Sequence, residues 1–291
     1  YRMKVLFISD FTLDQREGGA QVSNSLIIKK GRELGHEIVE HDHTSSIVDF
    51  LSSYDLMVSS NLEIIRRDRP EKLNYILKHP NHIRLEHDSC SYLSNKDREN
   101  LFTSSRLNFF LSEFHISFFR DFYGDYFDNV EIVYDPIDTS IFKPKDCEKT
   151  YDVVYCGYLH PLKGLNDLVK FAQANPDREI SVFGWGELDF ESLFSGYSNL
   201  TFKGAKKYTE VAEIFQQSQA LYHNPIVNEP FCRMMGEALL CGVEEIIGNT
   251  SKIGAYLEFE KVGYEKFRDG CAKAADNFWE KTKEKSLTCA I

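Results

Sequence analysis

The stretch Asn228-Glu-Pro-Phe-Cys-Arg-Met-Met-Gly-Glu-Ala-Leu-Leu-Cys-Gly242 decides how this chain is read. Pro230 suits the first position of a helix, where a missing N–H costs nothing and the ring presets a helical φ. Glu229 then falls just before the helix and Glu237 inside it. At 1.5 Å per residue the two carboxylates stand roughly 12 Å apart along the axis, about the reach from a sugar across a diphosphate to a ribose. Between them, the first-turn N–H groups near Phe231 and Cys232 would form an anion site. A glutamate ahead of a Pro-initiated helix also serves simply as a cap, so the spacing alone leaves both readings open.

Working outward, apolar runs alternate with helical spacing. Lys4–Ser9 is a short apolar run, followed by a polar loop and by helical spacing over 19–34 that ends at Gly35. Further strands are predicted at 37–40, 55–59, 82–86, 107–111 and 130–134. After the polar stretch Lys143–Thr150 the pattern restarts, with strands at 151–156, 179–184, 199–203, 219–223 and 244–247 and helices near 164–175, 207–217 and 230–241. The economical solution is two Rossmann-like α/β halves, each with a parallel sheet covered on both faces. A length of 291 residues suits two domains of about 140 residues each. Residues 263–291 read as charged and helix-prone, with Tyr264, Phe267, Phe278 and Trp279 as anchors.

Composition narrows the function classes. No apolar run approaches the roughly 18 residues needed to cross a bilayer. The start, Tyr1-Arg-Met-Lys-Val5, lacks the zones of a signal peptide, and Met3 is read as the natural start. The seven cysteines (Cys90, Cys147, Cys156, Cys232, Cys241, Cys271, Cys289) are odd in number and form no Cys-x-x-Cys pair, which fits free thiols in a reducing cytoplasm. A formal charge of −11 argues against broad nucleic-acid binding. Locally, Arg66, Arg67, Arg69, Lys72, Lys78 and Arg84 outnumber Glu63, Asp68 and Glu71, a pattern of a solvated helix face or of an anion-binding surface. His41-Asp42-His43 supplies two imidazoles on an extended segment and no third ligand, so no metal is expected there.

Several motifs together are similar to the retaining GT-B glycosyltransferases, especially their large fourth family of nucleotide-sugar-dependent enzymes. Glu229 and Glu237 match the paired-glutamate motif. Val153–Gly164, with Gly157 and the Lys163-Gly164 pair, resembles the first strand and turn of that family's C-terminal domain. Ser181–Glu187, with Gly184, resembles the strand and glycine loop beside the base. Gly18-Gly19-Ala20 resembles the N-terminal glycine loop at the donor phosphates, and Val133–Pro144 the entry to the interdomain linker. The matches fall in the family's order over about 250 residues.

The resemblance implies a GT-B fold, with two Rossmann-like domains facing a central cleft and C-terminal helices crossing back to the first domain. The expected domains are 1–143 (acceptor side), 144–262 (nucleotide-sugar side) and a helical segment, 263–291, on the first domain. It implies a retaining, metal-independent transfer of a sugar from a nucleotide-diphosphate sugar to a hydroxyl acceptor, with no further cofactor. Lys163 takes the role of the donor-phosphate lysine, Glu229 and His87 contact the sugar, and Glu237 the ribose. Gly18, Gly19, Gly157, Gly184, Phe231 and Cys232 line the donor. Tyr158 departs from the family's usual Arg beside the glycine and supplies no positive charge. Arg233 either compensates, faces solvent or pairs with an acid. Asp135 and Asp138, separated by Pro136, are read as turn or cap residues rather than a metal-binding acidic pair. Two alternatives remain: a non-catalytic nucleotide-sugar-binding protein of the same fold, and an enzyme acting on a hydroxylated DNA base or other anionic acceptor near Arg66, Arg67 and Arg69.

Overall fold

The structure, a computed structural model, describes residues 2–89, 93–123 and 129–287. The chain divides into two compact units, one comprising residues 1–136 and 270–291 and the other residues 137–269. Each is a doubly wound α/β layer structure.

In the first unit the elements run β1 (Lys4–Ile8), α1 (Gly19–Glu33), β2 (Glu37–His41), β3 (Leu56–Ser59), α2 (Glu63–Asp68), α3 (Pro70–Lys78), β4 (His82–Leu85), α4 (Asn95–Ser104), β5 (Leu107–Phe110), α5 (Glu113–Tyr123) and β6 (Val130–Ile132). The six strands are parallel in the order β2-β1-β3-β4-β5-β6. Strands β3, β4 and β5 are buried along their whole length, as expected for a sheet covered on both faces. Two polar groups in β4 are enclosed with partners. His82 Nε2 and Ser59 Oγ lie 2.7 Å apart, while Arg84 donates to Ser60 O and pairs with Glu86 at 2.9 Å. Leu6, Ile8, Leu62, Ile65, Leu73 and Ile76 form the core on one face.

In the second unit follow β7 (Tyr151–Tyr158), α6 (Leu165–Ala174), β8 (Ile180–Trp185), α7 (Phe190–Phe194), β9 (Leu200–Gly204), α8 (Tyr208–Gln216), β10 (Ser218–Tyr222), α9 (Arg233–Leu240), β11 (Glu245–Ile247), α10 (Gly254–Val262) and α11 (Tyr264–Ala272). Its five parallel strands are ordered β11-β10-β7-β8-β9 around a core that includes Val153, Tyr155, Leu168, Val182 and Ala220. The chain re-enters the first unit within α11 and ends in α12 (Ala274–Leu287), which packs on α1. There Trp279 Nε1–H donates to Ile27 O at 2.8 Å, and Gly31 makes room, because a Cβ at that position would strike the indole.

The strand expectations hold to within two residues, but the helix carrying Glu237 does not begin at Pro230. It begins at Arg233, with Cys232 as its N-cap at φ 70°. Glu229 is instead paired like a strand: its N–H donates to Lys252 O at 2.8 Å, and its carbonyl accepts from Gly254 N at 3.0 Å. Pro230 disfavours helical backbone at the preceding residue, which suits this extended pairing. Phe231 buries its ring and stacks 5.9 Å from Phe267. The helical-rise separation between the two glutamates therefore does not apply. The N–H groups without an intrahelical acceptor start at Arg233, not at Phe231 and Cys232.

Candidate functional site

Strand order locates the ligand crevice of each unit. Numbered along the chain, the second unit reads 5-4-1-2-3, so its order reverses between β7 and β10; the first unit reverses between β1 and β3. Open α/β sheets bind ligands outside the carboxyl ends of the strands at such a reversal.

At the second unit's reversal, glycines clamp the segment leaving β10 to those leaving β7 and β11. Gly164, at φ 87°, lies so close to the Asn224 carbonyl that a Cβ would collide with it, and Gly248, at φ 135°, is equally tight against His223 O. Asn224 is held further by Asn249 N–H at 2.9 Å and by its own amide on Asp167 at 3.2 Å. This brings Lys163, the last residue of the turn Pro161–Lys163, to Glu229: Lys163 Nζ sits 2.5 Å from Glu229 Oε1. The other carboxylate oxygen, Oε2, lies 3.2 Å from His223 Nε2, which is 3.5 Å from Cys232 Sγ. Burial pushes the Glu229 carboxyl up, but its hydrogen bond with His223 and the electrostatic pull of His223 and Lys163 outweigh it, holding Glu229 well below the usual carboxylate range. The Cys232 thiol is raised by burial and by the Glu229 charge. Lys163 keeps 38% of its side chain exposed, whereas Glu229 is enclosed.

Glu237 is also engaged. Arg233 Nε lies 2.8 Å from Glu237 Oε1, and Arg233 donates to Tyr208 Oη at 2.8 Å. Of the roles open to Arg233, the structure selects pairing with an acid. Gly157 takes φ 129°, and Gly184 is required where β7 and β8 meet, since a Cβ there would strike Gly157 O. Tyr158 stacks on His160 (5.5 Å, 15°) and lies 4.6 Å from the half-exposed Trp185, giving the carboxyl ends of β7 and β8 an aromatic shelf.

In the first unit, Gly18 is the extended N-cap of the 15-residue α1, whose first turn carries no acid and no side-chain cap to offset the positive end of the helix. The structure puts His87 in a closed chain: its Nε2 lies 2.9 Å from Asn24 Oδ1, and Asn24 donates to Ser60 Oγ at 3.0 Å. Burial lowers His87 to about 4, so the ring is neutral at physiological pH. Asp138 closes a turn on Ser140, as expected, whereas Asp135 makes no turn and instead accepts from Ser23 Oγ of α1 at 2.7 Å, a buried long-range contact. His41 and His43 turn to Asp49 and to Asp10 O.

The basic run is largely self-neutralised. Arg66 pairs with Asp97 at 2.9 Å, Arg67 with Asp68 at 2.6 Å and Arg69 with Glu71 at 2.7 Å. Lys72 and Arg84 are buried. Glu63, beside the first unit's reversal, was not singled out by sequence; burial, then Asp88, Glu86 and a hydrogen bond with Asp10, push it up to about 7. His223 was missed as well, although its place directly after an apolar strand marks it as a crevice residue.

No protein-family model and no curated protein sequence matches the chain. Solved structures do. AviGT4, a glycosyltransferase involved in avilamycin A biosynthesis, superposes with a TM-score of 0.64 at 13% identity over 98% of each chain. HepE of Anabaena, in complex with UDP and glucose, gives 0.64 at 15% identity over 98% of this chain and 93% of that one. An α-glucosyltransferase in complex with UDP and a 13-mer DNA containing an HMU base gives 0.60 at 12% identity over 99% and 100%. The chain has the GT-B fold of these glycosyltransferases.

Proposed function

We propose that the chain is a retaining, metal-independent glycosyltransferase that moves a sugar from a nucleotide-diphosphate sugar to a hydroxyl acceptor. The observation that carries this reading is the Lys163–Glu229–His223 constellation at the β7/β10 reversal of a GT-B fold. In this reading the partly exposed Lys163 leaves Glu229 for the donor diphosphate and neutralises the charge that develops as the glycosidic bond breaks. Glu229, released, accepts from sugar hydroxyls, and the acceptor proton passes to a leaving phosphate oxygen on the same face. The α9 N–H groups from Arg233 onward take the anion role expected of Phe231 and Cys232. Glu237 grips the ribose, with Arg233 orienting its carboxylate, and the shelf at Tyr158 and Trp185 offers a stacking face to the base. Gly18, Gly19 and His87 keep their donor roles on the strength of the resemblance, as does the assignment of the N-terminal part to the acceptor. His87 is then a neutral hydrogen-bonding contact rather than a base.

A hydroxylated DNA base is the second reading, favoured by the DNA-bound structural neighbour. The ion pairs of Arg66, Arg67 and Arg69 weigh against it. No helix among the described residues is long and apolar enough to cross a membrane, and Cys147, Cys156, Cys232 and Cys241 are thiols outside any disulfide, in keeping with a cytoplasmic setting.

The test is a panel of nucleotide sugars scored for thermal shift and for donor turnover, with Lys163→Ala and Glu229→Ala. Each variant is expected to stay folded and lose at least about 100-fold in kcat, the scale of removing one electrostatic stabiliser. Near-normal rates in both would overturn the site. Donor binding without turnover in the wild type, with all acceptors, would favour the non-catalytic alternative. Loss of acceptor binding with rising salt, abolished in an Arg66/Arg67/Arg69 alanine variant, would favour the anionic acceptor.

A further inference from the structure

The two oxygens of Glu229 are held by unlike partners. Oε1 faces the ammonium of Lys163, at the end of a flexible four-carbon stem that stays partly exposed. Oε2 lies 3.2 Å from His223 Nε2, and both of these side chains are enclosed. His223 has little freedom to leave. It follows β10 directly, its N–H donates to Ile247 O at 2.9 Å, and its carbonyl lies so close to Gly248 that a Cβ there would collide with it. The Glu229 backbone is fixed in the same way by Lys252 and Gly254. A third group meets the carboxylate at the start of α9: the Cys232 thiol hydrogen-bonds to Glu229 and lies 3.5 Å from His223 Nε2. The ring's other nitrogen decides where the imidazole proton sits. His223 Nδ1 is buried and has no hydrogen-bond partner among the described residues. A lone proton there would leave a buried N–H unmet and turn the Nε2 lone pair toward a carboxylate, two penalties at once. A proton on Nε2 instead gives a charge-assisted bond to Oε2. His223 therefore donates to Glu229 whether the ring is neutral or cationic.

We propose that His223 is a positioning residue, which holds Glu229 by Oε2 while Lys163 gives up Oε1 for the donor diphosphate. This role rests on the transferase reading of the crevice for its catalytic consequence, and adds the group that keeps Glu229 in place. Without His223, the departure of Lys163 would leave a buried carboxylate with a weak thiol donor, free to rotate after the lysine or to take up a proton. With His223 in place, Oε1 is bared in a fixed direction, ionised and ready to accept from a sugar hydroxyl. His223 and the sugar then use different oxygens of the same carboxylate.

The experiment reads the bond itself and then its effect on catalysis. In the full chain without donor, ¹⁵N-histidine NMR should show the His223 ring, identified as the signal lost in His223→Gln, carrying a proton on Nε2. That signal should move in Glu229→Gln and hold nearly still in Lys163→Ala. With a donor that is turned over, His223→Leu should lower kcat about 100-fold, the scale of misplacing a reacting group. In the donor complex, where Lys163 has left, burial pushes the Glu229 carboxyl up and His223 pulls it down. Removing His223 should therefore move the acid limb of the kcat profile to higher pH by at least about one unit. His223→Gln, whose amide reaches the place of Nε2, should recover at least about tenfold of the loss by restoring a donor. Urea midpoints report the folding of each variant; should the leucine variant misfold, His223→Asn, whose shorter amide does not reach Oε2, takes its place. A ring proton on Nδ1 alone, ring signals indifferent to Glu229→Gln, or wild-type kcat with an unmoved acid limb in the leucine or asparagine variant would overturn the proposal. A wild type that turns over no donor would end the transferase reading instead, and the spectra alone would then decide whether His223 holds Glu229.

Discussion

Gly164→Ala is the sharpest test of how the β7 and β10 segments are joined. Gly164 has φ 87°, and the substituent would run into the Asn224 backbone carbonyl, on a residue whose side-chain amide is anchored by Asn249 N–H and Asp167. Left-handed backbone on an alanine costs about 1–2 kcal/mol. Forcing a methyl into a packed contact that cannot withdraw adds about 1–3 kcal/mol. The sum is about 2–5 kcal/mol, and with a urea dependence of about 1–3 kcal/mol per molar the unfolding midpoint should fall by about 1.8 M at the middle of both ranges and by no less than about 0.7 M. Gly196→Ala is the control, since its Cβ would meet nothing within 4 Å and its φ is not positive; its stability should stay within about 0.5 kcal/mol of wild type. The assay is equilibrium urea unfolding followed by tryptophan fluorescence and circular dichroism. Equal midpoints for both variants would show that the turn after Lys163 is not fixed against Asn224, and the geometry of the Lys163–Glu229 pair would fall with it.

Other outcomes follow from the same structure. Trp279→Ala, which empties a buried site between α12 and α1 and removes the bond to Ile27 O, should cost about 3–5 kcal/mol by the same urea assay; an unchanged midpoint would mean that α12 is not docked there. Glu63 has a folded pKa raised to about 7 from an ordinary 4.5, so the folded state binds the extra proton and stability falls as pH rises through that window. Glu63→Gln should therefore stabilise at pH 8 by about 2–3 kcal/mol and have little effect at pH 5, read as melting temperature at both pH values; a pH-independent effect would refute the buried carboxyl. His82, lowered to about 3, and His87 and His115, each lowered to about 4, are held neutral chiefly by burial. The unfolded chain takes up protons near pH 6.5 that these rings refuse, so they remove stability as pH falls from about 6.5 toward 4. Proton uptake on unfolding at pH 5.5, measured by calorimetry in buffers of different ionisation enthalpy, should be positive, and none would contradict their burial.

Most strands were legible because a parallel sheet buried on both faces writes itself as short apolar runs between loops, as in Val153–Cys156 and Leu107–Phe110. The start of α9 was not. The proline rule pointed to residue 230, but Glu229 pairs with Lys252 and Gly254, more than twenty residues downstream, and only the folded chain shows that pairing. The same limit hid the Lys163–Glu229 contact, whose partners are 66 residues apart. Charge counting over Arg66–Arg84 could not reveal that Asp97 neutralises Arg66 from another helix, or that Arg84 points into the sheet. Glu63 gave no signal, because an exposed-looking glutamate at the first turn of a helix is ordinary and its raised pKa comes from burial in the fold, then from Asp88, Glu86 and Asp10 on other segments.

The ammonium of Lys163 arrives with its own counter-ion covalently attached to the same polypeptide. Any outside anion must outbid a tethered rival whose effective concentration never dilutes. Singly charged ions such as chloride or acetate are poor bidders, while a multivalent group that also recruits neighbouring N–H donors can win the exchange. Under the proposed function, the pair thereby sets a threshold that small anions do not reach and a diphosphate does.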